Sequence, residues 1–175
     1  MKQHKRMASE FYSTEILPLQ DKIFRFSRRL LSSETAAKDA TQDVLLKLWK
    51  LRDQLNEVKN IEAYAMTMTK NKCYDVIKSK HHKTLELVHS NYTNESSSLS
   101  SQIEARDEVS LVAKFIEALP EQQRAVIQLR DIEQFSNKEI EDILGMNSTS
   151  VRVALSRARK KIMSELKKTA DYGIR

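Results

Sequence analysis

Glycine and proline are nearly missing from this sequence, with two of each among 175 residues. Tight hairpins and left-handed loop positions draw on glycine, and β-branched alternation is also scarce, so the chain is expected to be all-α. Cysteine occurs only as Cys73, which excludes an intramolecular disulfide and leaves no cysteine set for zinc. His81 and His82 lack further ligands at metal spacing and read as solvated or nucleic-acid-facing groups. No apolar run is long enough to cross a bilayer and no signal-peptide pattern occurs, so a cytoplasmic protein with no direct membrane insertion is expected. Nor is there a paired acid/base set, a glycine-rich phosphate loop or a Ser/His/Asp arrangement. An enzyme is therefore not expected, and neither is a cofactor.

What the chain has in quantity is charge, and it is unevenly placed. The formal net charge is +6. Residues 148 to 168 hold seven Lys/Arg against one acidic residue, an excess equal to that of the whole chain. Residues 69 to 84 hold five Lys against one Asp, whereas residues 104 to 147 hold ten Asp/Glu and five Lys/Arg. Two separated basic patches with an acidic stretch between them suit oriented binding to a polyanion at two places. A membrane surface fits less well, because the apolar faces are committed to helix packing.

The strongest local pattern is SNKEIEDILGMNSTSVRVALSRARKK, residues 136 to 161. Ser136 and Glu139 form a capping box, and Ile140, Ile143 and Leu144 make the stripe of a short helix. Gly145 supplies the left-handed turn, after which Asn147, Ser148 and Thr149 can cap a second helix. On that helix Val151, Leu155, Ala158, Ile162 and Leu166 share one face. The opposite face carries Arg152, Ser156, Arg157, Arg159 and Lys160. An amphipathic helix with a solvated basic face is the bland explanation, but a capped helix, a glycine turn and outward arginines together describe a helix-turn-helix that enters a major groove. Arginine can fork onto guanine, and every cation can meet phosphate.

Between residues 84 and 106 the composition turns polar, with five serines in the six positions from Ser96. This run reads as a flexible linker over 83 to 106, dividing an N-terminal helical domain, 8 to 82, from a C-terminal one, 107 to 169. The C-terminal domain opens with a helix near Asp107 to Ala118 and continues after Pro120. In the first domain Phe11, Ile16, Leu19, Ile23, Phe26 and Leu30 form one stripe, with Pro18 a kink or boundary. Residues 34 to 52 form a second helix with Ala37, Ala40, Val44, Leu48 and Leu51 on one face and Thr41 beside it. Asp39, Gln42 and Asp43 lie off that face and are candidates for a protein contact. Trp49 reads as a partly buried anchor. Residues 61 to 83 begin rich in Ala, Tyr and Met and end basic: Tyr64, Met68, Tyr74 and Ile77 are expected inward, and Lys70, Asn71, Lys72, Lys78 and Lys80 outward. Aromatic groups beside cations are also how proteins hold unstacked bases.

With these motifs placed, the chain resembles the extracytoplasmic-function group of bacterial sigma factors, the promoter-recognition subunits of RNA polymerase. AAKDATQDVLLKLW, residues 36 to 49, is similar to the family's polymerase-binding helix, and EAYAMTMTKNKCYDVIKSK, residues 62 to 80, to its promoter-melting segment, with Asn71 and Asp75 at positions usually Asn and Asp. Residues 119 to 168, from LPEQQR through the turn to SRARKK, match its fourth region in register. The resemblance implies RNA polymerase core as a partner, met through the clamp helices of its largest subunit by Asp39, Gln42 and Asp43, with an anti-sigma factor as a further partner class. It implies promoter DNA as the other ligand. Arg152, Val153, Ser156 and Arg157 would face the minus-thirty-five groove, Lys160 and Lys161 its phosphates, and Asn71, Lys70 and Lys72 the opened minus-ten strand. Two departures stand out: Glu141 replaces a residue usually small at the crossing of the two DNA-binding helices, and the melting segment has fewer arginines than many relatives. A two-domain helix-turn-helix regulator that binds operators without polymerase is the alternative function.

Overall fold

The computed structural model describes the backbone of residues 10–31, 33–88 and 108–172, and their side chains except those of residues 56, 80–88, 108–110 and 170–172. Among the described residues the chain is helical throughout. The helices are α1 (Gln20–Leu30), α2 (Glu34–Leu51), α3 (Ile61–Val88), α4 (Glu108–Glu117), α5 (Glu121–Ile127), α6 (Asn137–Leu144) and α7 (Ser148–Tyr172). Short turns of π- and 3-10 geometry fill the joints: Tyr12–Ile16 and Leu17–Leu19 precede α1, Leu55–Glu57 precedes α3, and Gln128–Ile132 extends α5. Pro18 sits inside Leu17–Leu19, so it does mark the start of α1. The expected linker begins inside α3, which runs on to Val88, and its serine-rich part lies outside the described residues.

Side-chain caps set several helix starts. The Ser33 hydroxyl accepts from the Ala36 amide at 3.3 Å, and the Asn60 side chain accepts from the Ala63 amide at 2.9 Å. The capping box of α6 is complete, with the Ser136 hydroxyl accepting from the Glu139 amide at 3.2 Å and the Glu139 carboxylate accepting from the Ser136 amide at 2.7 Å. Gly145 takes φ 68°, the left-handed turn expected of it, and Asn147 then caps α7 by accepting from the Ser150 amide at 2.8 Å. Each cap satisfies a donor that the first helical turn would otherwise leave bare.

Helices α1, α2 and α3 form the first module around Ile16, Ile23, Val44, Leu48, Leu55, Ala65 and Met68. Helices α4 to α7 form the second. The two modules pack against each other. Phe26 and Leu30 of α1, Ala40 of α2 and Met66 and Cys73 of α3 belong to one continuous buried cluster with Leu129, Phe135, Ile140, Ile143 and Val151. Helix α3 lies along α6, and α1 along α5 and the turn that follows it. Tyr64, expected inward, is instead 37 % exposed, since the 28-residue α3 turns Ala63, Ala65 and Met66 to its neighbours on two sides.

Candidate nucleic-acid interface

Helix α7 presents the outward face that its spacing predicts. Val151, Ala154, Leu155, Ala158 and Ile162 are buried, while Arg152, Val153, Ser156, Arg157, Lys160 and Lys161 are exposed. The buried row packs on α5 and α6, which leaves the exposed row facing solvent. A helix that keeps one polar face in solvent has the exposure that a major groove can admit. Val153 and Arg157 share a concave surface with Gln122 and Gln123 of α5 and with Thr149 and Ser150 at the start of α7. The two glutamines and Thr149 are additions that periodicity did not flag. Their signal is faint, namely amide and hydroxyl groups clustered where a helix N-terminus favours anions.

Arg159 is the exception in the arginine row. Its guanidinium donates to both Asp131 oxygens, at 3.0 and 2.5 Å, across to the turn after α5. This carboxylate holds the Arg159 pKa above its ordinary value, because hydrogen bonding to Asp131 favours the cation. Arg159 therefore braces α7 rather than standing free. Glu141 is half-buried on α6. Such partial exposure lets its carboxylate keep water contact and avoid the cost of a sealed, unpaired charge.

In the first module the expected partner residues divide between two grooves. One, of about 350 Å³, runs between α2 and α3 and is lined by Asp43, Lys47, Lys50, Met68, Asn71, Lys72 and Asp75 among others. Asn71 is exposed there, and Lys72 pairs with Asp43 at 2.5 Å. The structure thus brings together Asp43, Asn71 and Lys72, which the sequence assigned to two different partners. Gln42 lies instead in a second groove, with Asp21 and Phe24 of α1 and Lys38, Thr41 and Leu45 of α2. Asp39 is exposed on the same helix, apart from both groupings. Lys70 is half-buried, and desolvation lowers its pKa. Trp49 is half-buried as an anchor, edge-on to Tyr12 with ring centroids 4.9 Å apart and under the Arg52 guanidinium at 4.4 Å.

Cys73 is fully buried, and desolvation pushes its thiol up to about 11. Tyr74 is likewise pushed up to about 12, first by burial and then by Glu121. Among the described residues no group of three or more His, Cys, Asp or Glu is placed to hold a metal ion, and no helix is long and apolar enough to cross a membrane.

Two family models match the chain, Sigma-70 region 2 over residues 16–83 and Sigma-70, region 4 over residues 110–162. The RNA polymerase sigma-E factor of Streptomyces avermitilis is 27 % identical over 150 residues, covering 84 % of this chain and 80 % of that protein. A probable RNA polymerase sigma factor of Xanthomonas campestris is 23 % identical over 165 residues, and an ECF RNA polymerase sigma factor of Mycobacterium tuberculosis 22 % over 184. The matched part spans 41 % and 50 % of those two longer relatives. The fold is similar to that of the sigma factor RpoE solved with the anti-sigma factor NepR from Bartonella quintana, with a TM-score of 0.75 at 23 % identity, covering 89 % of this chain and 96 % of that one. It is also similar to CnrH solved with the cytosolic domain of CnrY, with a TM-score of 0.64 at 21 % identity over 94 % and 95 % of the two chains.

Proposed function

Since the chain belongs to the sigma-70 family, in its extracytoplasmic-function branch, we propose that it binds RNA polymerase core through its first module, reads the minus-thirty-five duplex with α7 and helps hold the minus-ten element open. Sigma factors are promoter-recognition subunits without a catalytic site of their own. The single observation that favours the finer division of labour is the separation of two exposed polar surfaces. One is the Arg152, Val153, Ser156, Arg157 edge of α7; the other is the Asn71 groove between α2 and α3.

The two surfaces suit different forms of DNA. A projecting helix matches an intact major groove, and its Arg152 and Arg157 can fork onto base edges while Lys160 and Lys161 meet phosphates. A groove offering the Asn71 amide can donate to and accept from a base removed from its stack, with Lys72 and Lys70 near the backbone. Asp39, Gln42 and Asp43 would meet the clamp helices of the largest polymerase subunit. Asp43 also holds Lys72, so polymerase docking and strand contact would meet at one ion pair. An anti-sigma factor is a further proposed partner, since two structurally similar proteins were solved with one or with a cytosolic domain bound.

Reconstitution tests this reading. Core RNA polymerase plus the protein should initiate at a restricted set of sites on supercoiled genomic DNA. Asn71→Ala should lower the permanganate reactivity of unpaired thymines at those sites more than it lowers duplex docking. Failure of the full chain to associate with core polymerase, together with tight operator binding by a free dimer, would overturn it.

A further inference from the structure

We propose that Val153 is itself a base reader: its isopropyl group packs on the 5-methyl of a thymine in the major groove, one helical turn from the base that Arg157 meets. The proposal rests on the reading of α7 as the duplex-facing helix, and it names the base chemistry at one point of that helix.

Val153 is exposed where local physics does not ask for an apolar group. Two large apolar side chains of the described part of α7 are exposed, Val153 at 41 % and Met163 at 58 %. Met163 lies beyond Lys161, about 15 Å farther along the helix axis. Val153 instead stands in the exposed row itself, directly after Arg152 and one turn before Arg157. The core does not use it, since Val151, Ala154, Leu155, Ala158 and Ile162 carry the buried face. Helix stability does not call for it either, because a β-branched side chain is a poorer helix former than alanine.

Its surroundings suit a base edge. The concave surface that Val153 shares, about 230 Å³ in volume, is framed by the Gln122 and Gln123 amides, the Thr149 and Ser150 hydroxyls and the Arg157 guanidinium. An apolar spot is thus set among donors and acceptors. A major groove displays the same mixture: ring nitrogens and carbonyl oxygens that accept, amino groups that donate, and one apolar group, the thymine methyl. Valine has no donor or acceptor for a phosphate or a polar edge. Laid against the amino group of cytosine or adenine, it would strip water from a donor and return no acceptor, which is costly. Against a thymine methyl it buries apolar surface on both sides. Spacing adds a position: four residues advance a helix by about 6 Å, while base pairs are stacked about 3.4 Å apart. The thymine should therefore lie within about two base pairs of the base read by Arg157.

Deleting the methyl from each side in turn tests this. Core RNA polymerase carrying the full chain is held at low temperature, before strand opening, on a promoter duplex taken from the mapped initiation sites. Each thymine of the minus-thirty-five element is replaced singly by deoxyuridine, which lacks only the 5-methyl. One position is expected to lose about fourfold in affinity, the worth of one buried methyl-sized group. With Val153→Ala the same replacement should leave affinity unchanged. A thymine methyl also affects duplex stiffness, but only direct contact makes the protein and DNA deletions non-additive. Alanine at an exposed helical position should preserve the fold, and equal helical content by circular dichroism checks it. An element without a methyl-sensitive thymine, or a sensitivity that persists in Val153→Ala, would overturn the proposal. Weaker binding of folded Val153→Ala to core polymerase would put this side chain against protein and overturn it too. A parent that binds promoter and unrelated duplex alike would remove the duplex reading of α7 and this proposal with it. A discriminating parent without methyl sensitivity would remove this proposal alone.

Discussion

Among single side chains the sharpest distinction is between reading and anchoring. Arg157 lies on the concave part of the α7 edge, whereas Lys161 is farther along the helix and exposed. Arg157→Ala should lose roughly 1 to 3 kcal/mol of discrimination between cognate and unrelated duplex, because a guanidinium fork recognises a base edge. Lys161→Ala should weaken both duplexes alike and reduce the salt slope by about 1. Binding curves over several salt concentrations separate the two, and the reverse pattern would exchange the assignments. Arg159 offers a complementary test, since Asp131 holds it in place. If α7 meets duplex as proposed, Asp131→Asn should release a cation at its exposed edge, raising affinity for unrelated duplex and steepening its salt slope by up to about 1. Unchanged salt dependence would mean that Arg159 is out of phosphate reach.

Helix α6 and its two boundaries carry the next prediction, because α7 is aimed by the turn between them. Ser136→Ala should cost about 1 kcal/mol by removing the hydroxyl that caps the Glu139 amide. Gly145→Ala should cost about 1 to 2 kcal/mol from backbone conformation alone: φ is 68° and an added Cβ would meet nothing within 4 Å. Denaturant unfolding of the two variants measures both, and a neutral Gly145→Ala would show that the turn can relax. The cap also has a pH sign. Hydrogen bonds to the Ser136 side chain and backbone hold the Glu139 pKa below its usual 4.5, so its contribution is present above that value and fades as pH falls through the lowered one. Gln134 shares the left-handed backbone, with φ 64°, and its side chain donates to the Asp131 carbonyl at 2.8 Å. This bend delivers Phe135 into the core just before α6 starts.

For the whole molecule the shared core predicts cooperative behaviour. Heating the full chain should give one calorimetric transition rather than two, and Phe26→Ala should lower it as a unit by about 3 kcal/mol or more, since Phe26 is fully buried between modules. Two resolved transitions, with only one moved by the substitution, would show instead that the modules unfold independently.

Helix type, order and most boundaries followed from the chain itself because they depend on local spacing and on caps within one turn. Ser136 and Glu139 cap each other across three residues and the Gly145 amide reaches Glu141 four residues back, while the α7 stripe repeats at helical intervals. The outward set Arg152, Ser156 and Arg157 was legible for the same reason. Periodicity assigns a residue to a buried face without saying what covers it. Phe26 therefore looked like an interior group of the first module, although in the structure it is covered in part by the second. Only the tertiary structure decided that Asp43 meets Lys72, that Asp131 occupies Arg159, and that Arg25 closes over Glu133, 108 residues away. Charge attraction carries no sequence address: any exposed Arg could pair with any Asp or Glu, and packing of the intervening helices chooses which ones meet.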